Sequence, residues 1–412
     1  MNVASKDSTE RFLKRNGSVK LHMETLPFDS PKAPLPELSN AERARYSRHL
    51  VMPEVGEDGQ RRLKASSVVV VGAGGLGIPV SVYLAAAGFG RIGVVDGDVV
   101  ELSNLQRQFL FSQADVGRPK ADLLRFKLMA VNPNVRVEVH GEMLDSTNAL
   151  KVLEPYDIVV DATDNFPSRY LINDACVFLG KPDVYASVFR FDGQASVFST
   201  REGPCYRCLY PEPPPPESVQ SCAEAGVFGV LTGIMGAVQA NQALSIALGR
   251  GAPLAGKLLL FNGLETSFNE LKIRKNPECP VCSAKPRVTK LIDYDEFCGV
   301  RRDAGVGVPE VDPMSLKAAI DGGRAPFLLD VREPYEYRLC HIEGSKLIPL
   351  GQLPSRLSEL DRQSDIVVYC HSGERSANAT RLLKSSGFGS VRNLKGGIKA
   401  WAQQVDAKMP VY

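Results

Sequence analysis

The sequence predicts an α/β protein in which a Rossmann-like, doubly wound and mostly parallel sheet is followed by a second, smaller α/β domain. At 412 residues the chain is too long for one ordinary hydrophobic core. Short apolar runs that read as buried strands, such as Val68–Val71 and Ile366–Tyr369, are each followed by a glycine-rich or polar loop. Apolar residues make up 44% of the chain and charged residues 23%, which is typical of a globular protein.

The first predicted helix follows a polar N-terminal segment. Residues 1–38 are polar and contain several prolines, so we expect a disordered tail there. Ser39 and Asn40 then predict the cap of a helix that runs through Leu50.

A βαβ unit is predicted next. Val68–Val71 reads as a buried strand, Ile78–Ala87 as a helix, and Arg91–Val95 as a second strand that ends just before Asp96. Pro119 suits a first helical position and predicts the start of a further helix. Additional strands are predicted at Val135–Val139, Ile158–Val160 and Val184–Val188.

The second half of the chain contains an excursion, a buried helix and a new domain. The proline run within Pro211–Pro216 excludes a helix or a central strand. Gly229–Leu248, rich in small and apolar residues, predicts a buried helix. Residues 284–308 read as a linker between a first domain at 39–283 and a second at 309–412. The strands of the second domain are predicted at Phe327–Val331 and Ile366–Tyr369.

Composition and charge exclude several classes of protein. A formal net charge of +2 gives no reason to expect a nucleic-acid partner. No apolar run approaches the roughly 20 residues that a membrane span requires, so no membrane partner is expected. The N-terminus lacks the apolar core of a secretory signal. We therefore expect a cytoplasmic protein.

A nucleotide site is predicted directly after the first strand. Gly72, Gly74 and Gly77 form a G-x-G-x-x-G pattern whose backbone N–H groups can approach phosphates at a helix N-terminus. Asp96 ends the next strand, where a carboxylate can bind ribose hydroxyls. These features by themselves favour NAD, and a tight turn without a ligand is the alternative.

Cationic and acidic residues near the glycine loop change the preferred nucleotide to ATP. Ser103 opens the polar and cationic segment SNLQRQ, Lys120 lies at a helix start, and Asp164 follows another predicted strand. A triphosphate bound with Mg²⁺ requires cations for the phosphates and a carboxylate for the metal, whereas a dehydrogenase requires a hydride pocket.

The motifs of residues 39–283 closely resemble the adenylyltransferases of the MoeB/ThiF type, which are relatives of ubiquitin-activating enzymes. The matching segments are RYSR at 45–48, GAGGLG at 72–77, DGD at 96–98, SNLQRQ at 103–108, GRPK at 117–120 and TDN at 163–165. The resemblance implies that Asp164 helps hold Mg²⁺ and that Arg48 reaches the phosphates from the partner subunit of a homodimer. It also implies an ATP site lined by Gly75, Asp96, Asn104, Arg107, Lys120, Asp164 and Asn165.

Two Cys-x-x-Cys pairs predict a metal site. Cys205, Cys208, Cys279 and Cys282 offer four thiolates, a strong signal for tetrahedral zinc, with redox-active pairs as the alternative. Four protein ligands leave no open coordination position, so we expect a structural zinc ion. The family resemblance agrees with this set of ligands.

A fifth cysteine, Cys222, follows the proline run in a polar segment just before a predicted helix. A thiol in such a loop can have a lowered pKa, and a half-buried bystander is the alternative. The resemblance matches this position to a cysteine that attacks or resolves the activated acyl group.

Residues 309–412 resemble a single rhodanese domain, with Cys370 at the position of the sulfur-carrying cysteine. DVRE at 330–333, HIEG at 341–344 and LKGGIKAW at 394–401 match the flanking motifs of that domain. Backbone N–H groups of the loop after Cys370, helped by Arg375, would stabilise a thiolate or persulfide. The C-x4-R loop is one residue shorter than the loop of the related phosphatases, which favours sulfur over phosphate.

The two resemblances together imply a two-step enzyme. ATP would adenylylate the C-terminal glycine of a ubiquitin-like sulfur carrier, and a persulfide on Cys370 would then convert it to a thiocarboxylate. A cysteine desulfurase or thiosulfate would donate the sulfur. Molybdopterin synthesis is the favoured pathway, and thiolation for tRNA, thiamine or cysteine synthesis is the alternative.

Three other functions remain open at this point. An NAD-dependent oxidoreductase would require a hydride-site motif that we do not recognise in the sequence. A non-catalytic scaffold could bind a ubiquitin-like protein without activating it. A ligase that transfers the carrier as a thioester would depend on Cys222 but not on Cys370.

Overall fold

The computed structural model describes residues 34–200, 203–214, 226–249, 254–299 and 308–412. They form two compact units, one comprising nearly all of the described residues up to Leu291 and the other those from Ile292 to Tyr412. Within these ranges no helix combines the length and the apolar character needed to cross a lipid bilayer.

The first unit is built on an eight-stranded sheet. Its strand order is β3-β2-β1-β4-β5-β6-β7-β8; the five strands from β3 to β5 pair in parallel and the last three pairings are antiparallel. The strands are β1 Ser67–Val71, β2 Arg91–Val95, β3 Arg136–His140, β4 Ile158–Asp161, β5 Asp183–Phe189, β6 Asp192–Phe198, β7 Lys257–Asn262 and β8 Ser267–Lys272.

Nine helices of the first unit lie within the described residues. They are α1 Asn40–Arg45, α2 Ser47–Leu50, α3 Gly56–Ala65, α4 Gly77–Ala87, α5 Lys120–Val131, α6 Ala149–Leu153, α7 Phe166–Leu179, α8 Tyr206–Leu209 and α9 Gly229–Leu248. Short 3₁₀ turns occur at Leu102–Asn104 and Gln113–Asp115.

The strand order places a topological switch point beside β1. The chain proceeds from β1 through β2 to β3 on one side and then returns, so that β4 pairs with the opposite side of β1. Strands β1, β2 and β4 are buried along most of their length. In such sheets, ligands bind beyond the carboxyl ends of the strands at this switch point.

The predicted helix over residues 39–50 is two helices. Ser39 caps α1, as the sequence predicts, and forms a capping box with Glu42. Tyr46 ends α1 and starts α2, with φ −94° and ψ 15°. Its side chain is buried, and its hydroxyl accepts a hydrogen bond of 2.8 Å from Asn132. The break between α1 and α2 therefore lies at a residue that makes a tertiary contact, and the local sequence pattern does not predict this break.

Several predicted strand and helix boundaries differ from the structure by one residue. Helix α5 begins at Lys120 because Pro119 has ψ 127°, outside the helical region, and lies at the N-cap. Strand β3 begins at Arg136 rather than Val135. Helix α9 has the predicted ends, although one side of it remains exposed at Val230.

Residues just before Ser39 are held against α3. Arg61 donates a hydrogen bond of 2.8 Å to the Leu35 carbonyl, Lys64 donates one of 2.8 Å to the Glu37 carbonyl, and Leu38 is buried. The part of the predicted tail from residue 34 onward is therefore packed on the first unit. Residues 1–33 lie outside the described ranges.

The second unit has a five-stranded parallel sheet in the order β11-β10-β12-β13-β9. Its strands are β9 Glu310–Val311, β10 Phe327–Asp330, β11 Lys346–Leu347, β12 Asp365–Tyr369 and β13 Ser390–Leu394. Its helices are α10 Tyr294–Phe297, α11 Pro313–Asp321, α12 Pro334–Leu339, α13 Glu374–Ser385 and α14 Gly397–Gln404, with 3₁₀ turns at Leu350–Ser355 and Leu357–Glu359.

Two apolar clusters flank this second sheet. One surrounds Leu329, Val368 and Cys370, and the other surrounds Val367, Tyr369 and Trp401. Alternate residues of β12 therefore face opposite layers, as the two-residue period of a strand requires. The fold-class prediction of a large, mostly parallel sheet with a second small α/β domain is confirmed.

Two glycines of the glycine loop differ in how much space surrounds them. A Cβ on Gly77 would lie 1.7 Å from the Gly72 carbonyl oxygen, whereas a Cβ on Gly74 would lie 3.7 Å from its nearest neighbour. We expect Gly77→Ala to lower the unfolding free energy of the first unit by about 3 kcal/mol or more, because a backbone atom must move. Denaturant unfolding followed by circular dichroism measures this change.

Gly74→Ala is the matched control for Gly77→Ala. Its added methyl group meets ordinary van der Waals distances, so its unfolding midpoint should stay close to that of the unmodified protein. Equal stability of the two variants would contradict the packing argument.

Candidate functional site

The glycine loop connects the end of β1 to the start of α4. Gly72 has φ 101°, a conformation that favours glycine, and its N–H donates to the Val95 carbonyl at 2.8 Å. A Cβ on Gly72 would lie 2.8 Å from the Ala162 carbonyl oxygen. The loop therefore lies directly against the chain that leaves β4, and only a residue without a side chain fits at its first position.

Asp96 holds this loop from the end of β2. One carboxylate oxygen accepts a hydrogen bond of 2.7 Å from the N–H of Ala73, and the other accepts one of 2.8 Å from the N–H of Asp98. Burial raises the pKa of Asp96, and the Ala73 hydrogen bond and the charge of Lys120 oppose that rise. The acidic residue predicted for the ribose thus lies beside the glycine loop.

Lys120 lies near Asp96 although the two are far apart in sequence. It is the first residue of α5, and its side chain is 9% exposed. Its ammonium group lies 3.0 Å from a carboxylate oxygen of Asp98, and its N–H donates to the Asp98 carbonyl at 2.9 Å. The DGD and GRPK motifs therefore meet, and Asp98 is a partner of Lys120 that the sequence analysis did not single out.

The SNLQRQ segment supplies further polar groups. Asn104 is buried and its side-chain oxygen accepts from the Glu101 N–H at 3.3 Å, while Arg107 donates to the carbonyl of exposed Ser103 at 3.2 Å. The amide nitrogen of Gln108 lies 3.7 Å from the position that a Cβ would take on Gly74. Gln108 therefore borders the glycine loop.

Thr232 is another neighbour of the glycine loop, and the sequence did not predict it. Thr232, on helix α9, lies 3.0–3.1 Å from the position of a Cβ on Gly75. Thr232 is more than 150 residues downstream of the loop, and no local motif marks it. Only the packing of α9 brings it there.

The segment after β4 contains a buried carboxylate and an exposed one. Asp161 is fully buried, and one of its oxygens accepts hydrogen bonds from the Thr163 N–H at 2.9 Å and the Thr163 hydroxyl at 2.6 Å. Burial raises the pKa of Asp161, partly offset by Arg169. Asp164 and Asn165 are exposed, so the Asp164 carboxylate is accessible to a cation.

The loops after β1, β2 and β4 thus meet at one edge of the parallel sheet. They combine a glycine-rich turn at a helix start, a buried lysine and an exposed carboxylate, which suit a phosphate chain together with a divalent cation. Arg48, predicted to act from a partner subunit, is exposed on α2. Its predicted role stays a prediction.

The four cysteines of the two Cys-x-x-Cys pairs form one cluster. All four sulfur atoms lie within 4.8 Å of one another. The Cys205–Cys279, Cys208–Cys282 and Cys205–Cys208 sulfur distances are 3.5, 3.4 and 3.8 Å. Four thiolates at the Zn–S bond length of about 2.3 Å stand about 3.8 Å apart in a tetrahedron, so the cluster can hold one zinc ion.

The first cysteine pair is anchored to α7. Arg207, between the two cysteines, is buried and forms two hydrogen bonds of 2.9 and 2.8 Å with Asp174. The Tyr206 N–H donates to the Asn173 side chain at 2.7 Å. These contacts fix the first pair to a core helix. The second pair packs against the first pair in one apolar cluster that includes Val281.

Cys222, predicted to attack or resolve the activated acyl group, lies outside the described residues, as do the last two residues of the proline run. Residues 211–214 belong to no helix or strand, in agreement with the prediction for that part of the run. The role assigned to Cys222 stays a prediction.

Cys370 opens the loop between β12, the central strand of the second sheet, and α13. Its side chain is fully buried. The sulfur accepts a hydrogen bond from the Gly373 N–H at 3.1 Å. The Ser376 hydroxyl lies 3.3 Å from the sulfur and shares its proton with the Asn393 side-chain oxygen at 2.6 Å. Gly373 has φ 104° and forms the N-cap of α13, so the helix N-terminus points at the sulfur. This environment stabilises negative charge on sulfur.

The start of α14 packs against the same loop. The Ile398 N–H donates to the Cys370 carbonyl at 2.8 Å, and the Lys399 N–H donates to the His371 carbonyl at 3.1 Å. A Cβ on Gly397 would lie 2.4–2.5 Å from these two carbonyl oxygens. Gly397, the second glycine of the LKGGIKAW motif, is therefore required for close packing against the cysteine loop.

Arg375, predicted to help stabilise the thiolate, has a carboxylate partner that the sequence analysis missed. Its guanidinium donates two hydrogen bonds, of 2.7 and 2.8 Å, to the two oxygens of Glu336 on α12. Both side chains are almost fully buried. Burial raises the pKa of Glu336, but the hydrogen bonds from Arg375 and from the Glu333 N–H, together with the charges of Arg375 and Arg332, leave the pKa below its ordinary value. The pair fixes the arginine end of the loop.

Comparison with known protein families agrees with both predicted resemblances. Residues 46–281 match the ThiF family, and residues 312–404 match the rhodanese-like domain. Among solved structures, that of MccB from E. coli with ATP superposes with a TM-score of 0.52 at 26% identity, covering 68% of this chain and 83% of that one.

Two curated relatives extend the comparison. The chain is 46% identical over 388 residues to the probable adenylyltransferase/sulfurtransferase MoeZ of Mycobacterium tuberculosis, covering 92% of this chain and 97% of that protein. It is 57% identical over 262 residues to the sulfur carrier protein adenylyltransferase of Thermus thermophilus, covering 62% of this chain and 97% of that protein.

The cysteine cluster predicts one zinc ion per chain. Cys279→Ser should abolish stoichiometric zinc binding and lower the thermal unfolding temperature. The segments that carry the two cysteine pairs would then no longer be joined through the metal. Elemental analysis and calorimetry measure the two effects. Cys340→Ser, which changes a thiol of the second unit, is the control and should keep its zinc. Equal zinc contents in the two variants would contradict this assignment.

The Glu336–Arg375 pair predicts a pH-dependent stability of the second unit. At pH 7, Glu336→Gln should lower the unfolding free energy by about 3 kcal/mol, because the buried guanidinium loses its counter-charge. The pKa of Glu336 lies below its ordinary 4.5, so its contribution is complete above that pH and is lost as the pH falls through the lower, folded-state value. The difference between variant and unmodified protein should therefore shrink in acid.

Fluorescence of Trp401, the single tryptophan of the chain, reports unfolding of this unit during a urea titration. Glu359→Gln, which removes the carboxylate of a partly exposed surface ion pair with Arg356 and Lys346, is the control and should cost less than Glu336→Gln at pH 7. A Glu336→Gln deficit that stays constant down to pH 3 would rule out the assigned ionisation.

Proposed function

The chain belongs to the ThiF family and carries a rhodanese-like domain, and from this premise we propose that it activates and then thiolates a ubiquitin-like sulfur carrier protein. The chain is an enzyme with both activities, because it is similar over 92% of its length to an adenylyltransferase/sulfurtransferase. The carrier, by our proposal, ends in Gly-Gly, and its terminal glycine is the group that is modified. The Thermus thermophilus relative supports this choice, since its name states that it adenylylates a sulfur carrier protein.

In the first step the terminal carboxylate of the carrier attacks the α-phosphate of ATP. An acyl-adenylate forms and pyrophosphate leaves. Glycine N–H groups and Lys120 neutralise charge on the phosphates, Arg107 and Arg48 add to this, and Asp96 binds the ribose. Mg²⁺, held through Asp164, would supply further charge neutralisation. No side-chain nucleophile is required.

In the second step a persulfide on Cys370 attacks the activated carbonyl. AMP leaves with the electron pair of the broken bond, and an acyl disulfide joins the carrier to Cys370. The thiolate of Cys222 then attacks the Cys370 sulfur of this bond and releases the carrier thiocarboxylate. The resulting disulfide between Cys222 and Cys370 is reduced by a thiol reductant, and a cysteine desulfurase or thiosulfate restores the persulfide.

One observation supports this function over its rivals most strongly. The sulfur of Cys370 faces an N–H donor and an O–H donor at a helix N-terminus, and the same chain carries a glycine loop beside a buried lysine. A scaffold requires neither feature. An oxidoreductase would require a hydride pocket in place of the lysine, and a thioester ligase would make no use of Cys370.

Further parts of the proposal concern assembly and pathway. We propose a homodimer in which Arg48 serves the partner's nucleotide site, a structural zinc ion, and a cytoplasmic location. Molybdopterin synthesis is the favoured destination of the thiocarboxylate, with tRNA, thiamine or cysteine synthesis as alternatives. The pathway is the one whose carrier becomes thiolated.

The proposed function predicts a specific product. The protein is incubated with candidate carriers, ATP, Mg²⁺ and thiosulfate, and each carrier is examined by intact mass spectrometry. One carrier should gain the mass of exchanging one oxygen for sulfur. Lys120→Ala should reduce acyl-adenylate formation roughly 100-fold or more. Cys370→Ala should keep adenylylation, seen as ATP–pyrophosphate exchange, and lose the thiocarboxylate.

Lys151→Ala changes an exposed lysine of the same unit and should leave both steps unaffected. Thiocarboxylate formation that persists in Cys370→Ala would refute the persulfide step. Carrier conjugates that require Cys222 and not Cys370 would favour the ligase, and NAD binding without ATP binding would favour the oxidoreductase.

A further inference from the structure

Tyr412 contacts the beginning of the Cys370 loop. The imidazole of His371, the residue after Cys370, lies with its Nε2 atom 2.6 Å from the Tyr412 backbone oxygen. The two rings also pack together, with centroids 4.8 Å apart. Tyr412 therefore has both a polar and a ring contact with the first residue of the loop after the cysteine.

The hydroxyl of Tyr412 is connected to the other end of the loop. It donates a hydrogen bond of 3.1 Å to Glu336 and accepts one from Arg332. The oxygen of Glu336 that accepts this bond also accepts from Arg375, the last residue of the C-x4-R loop. One tyrosine thus links His371 and, through a single carboxylate, Arg375.

The group that holds the hydroxyl is itself rigid. Arg332 is fully buried, pairs with the fully buried Asp330 at the end of β10, and donates to the Cys340 carbonyl at 2.8 Å. Burial raises the pKa of Tyr412, although Arg332 opposes the rise, so the phenol keeps its proton and can donate to Glu336 at neutral pH. The hydroxyl is fixed between a cation and an anion that cannot easily move.

The donors around the sulfur depend on the shape of the loop that these contacts hold. The Gly373 N–H and the Ser376 hydroxyl, both directed at the Cys370 sulfur, lie on the segment between and just after His371 and Arg375. When a persulfide gives up its outer sulfur, negative charge collects on the cysteine sulfur that leaves. Donors preorganised around that atom lower the barrier, and small displacements weaken them.

We propose that Tyr412 is a positioning residue for sulfur transfer, which holds both ends of the Cys370 loop so that its hydrogen-bond donors face the reacting sulfur. The inference rests on the proposed sulfur transfer at Cys370. A residue that served only as apolar cover would need the ring and not the hydroxyl. Tyr412→Phe separates these roles, because it keeps the ring on His371 and removes the contacts with Glu336 and Arg332.

A simple reaction isolates the step. The Cys370 thiolate attacks the outer sulfur of thiosulfate, the sulfur–sulfur bond breaks, and sulfite leaves with its electron pair. Cyanide then attacks the outer sulfur of the persulfide, thiocyanate forms, and the Cys370 thiolate is restored. Neither step requires a further oxidant or reductant.

The test uses the full-length protein in single turnover. Each protein is loaded with thiosulfate, freed of excess donor, checked for the Cys370 persulfide by mass spectrometry and mixed with cyanide. The first-order rate of thiocyanate release per loaded site does not depend on how much protein is folded or loaded. Val411→Ala, a change at an exposed neighbouring residue, is the control.

We expect Tyr412→Phe to slow release about fivefold or more, because it removes the hydrogen bonds with Glu336 and Arg332 and one such bond corresponds to about fivefold. Tyr412→Ala should slow release further. Val411→Ala should match the unmodified protein. A Tyr412→Phe rate equal to that of Val411→Ala would overturn the inference, even if Tyr412→Ala folds poorly. Undiminished thiocyanate release by Cys370→Ala would instead refute the proposed function of Cys370, so the two failures are distinguishable.

Discussion

Both units depend on the close approach of backbone to backbone where a parallel strand turns into a helix. In the first unit Gly72 and Gly77 allow the chain after β1 to lie against itself and against the exit of β4. In the second unit Gly373 and Gly397 allow the loop after β12 to fit between two helix starts. Backbone N–H groups are thereby directed at the positions that a phosphate or a sulfur anion can occupy.

The side chains near these turns are charged, and burial makes an unpaired charge expensive. Lys120 is matched by Asp98, and Arg375 by Glu336. These pairs do more than offset desolvation. Each joins two segments that are separated in sequence, so that the position of a functional cation is determined by a carboxylate on another segment. The same logic applies to Arg207 and Asp174, which hold one half of the cysteine cluster.

The two units have similar α/β architecture, but the loops at the carboxyl ends of their strands present different chemical groups. Carboxyl-end loops of the first sheet combine glycine N–H groups with a lysine and an exposed Asp164, a set suited to a phosphate chain. In the second unit the central strand ends in Cys370, and the donors converge on a single sulfur atom. The difference lies in which side chain follows the strand, since the sheet itself supplies only the place.

The sequence by itself determined the features that depend on near neighbours: the helix cap at Ser39, the glycine loop, the two cysteine pairs and the C-x4-R loop. It also determined the family, because many ordered motifs agree. Only the tertiary structure decided the break at Tyr46, the contact of Thr232 with the glycine loop, and the partners of Arg375 and Tyr412. These depend on elements that lie far apart along the chain and meet only when the sheets assemble, and burial then makes each polar group require the partner that packing provides.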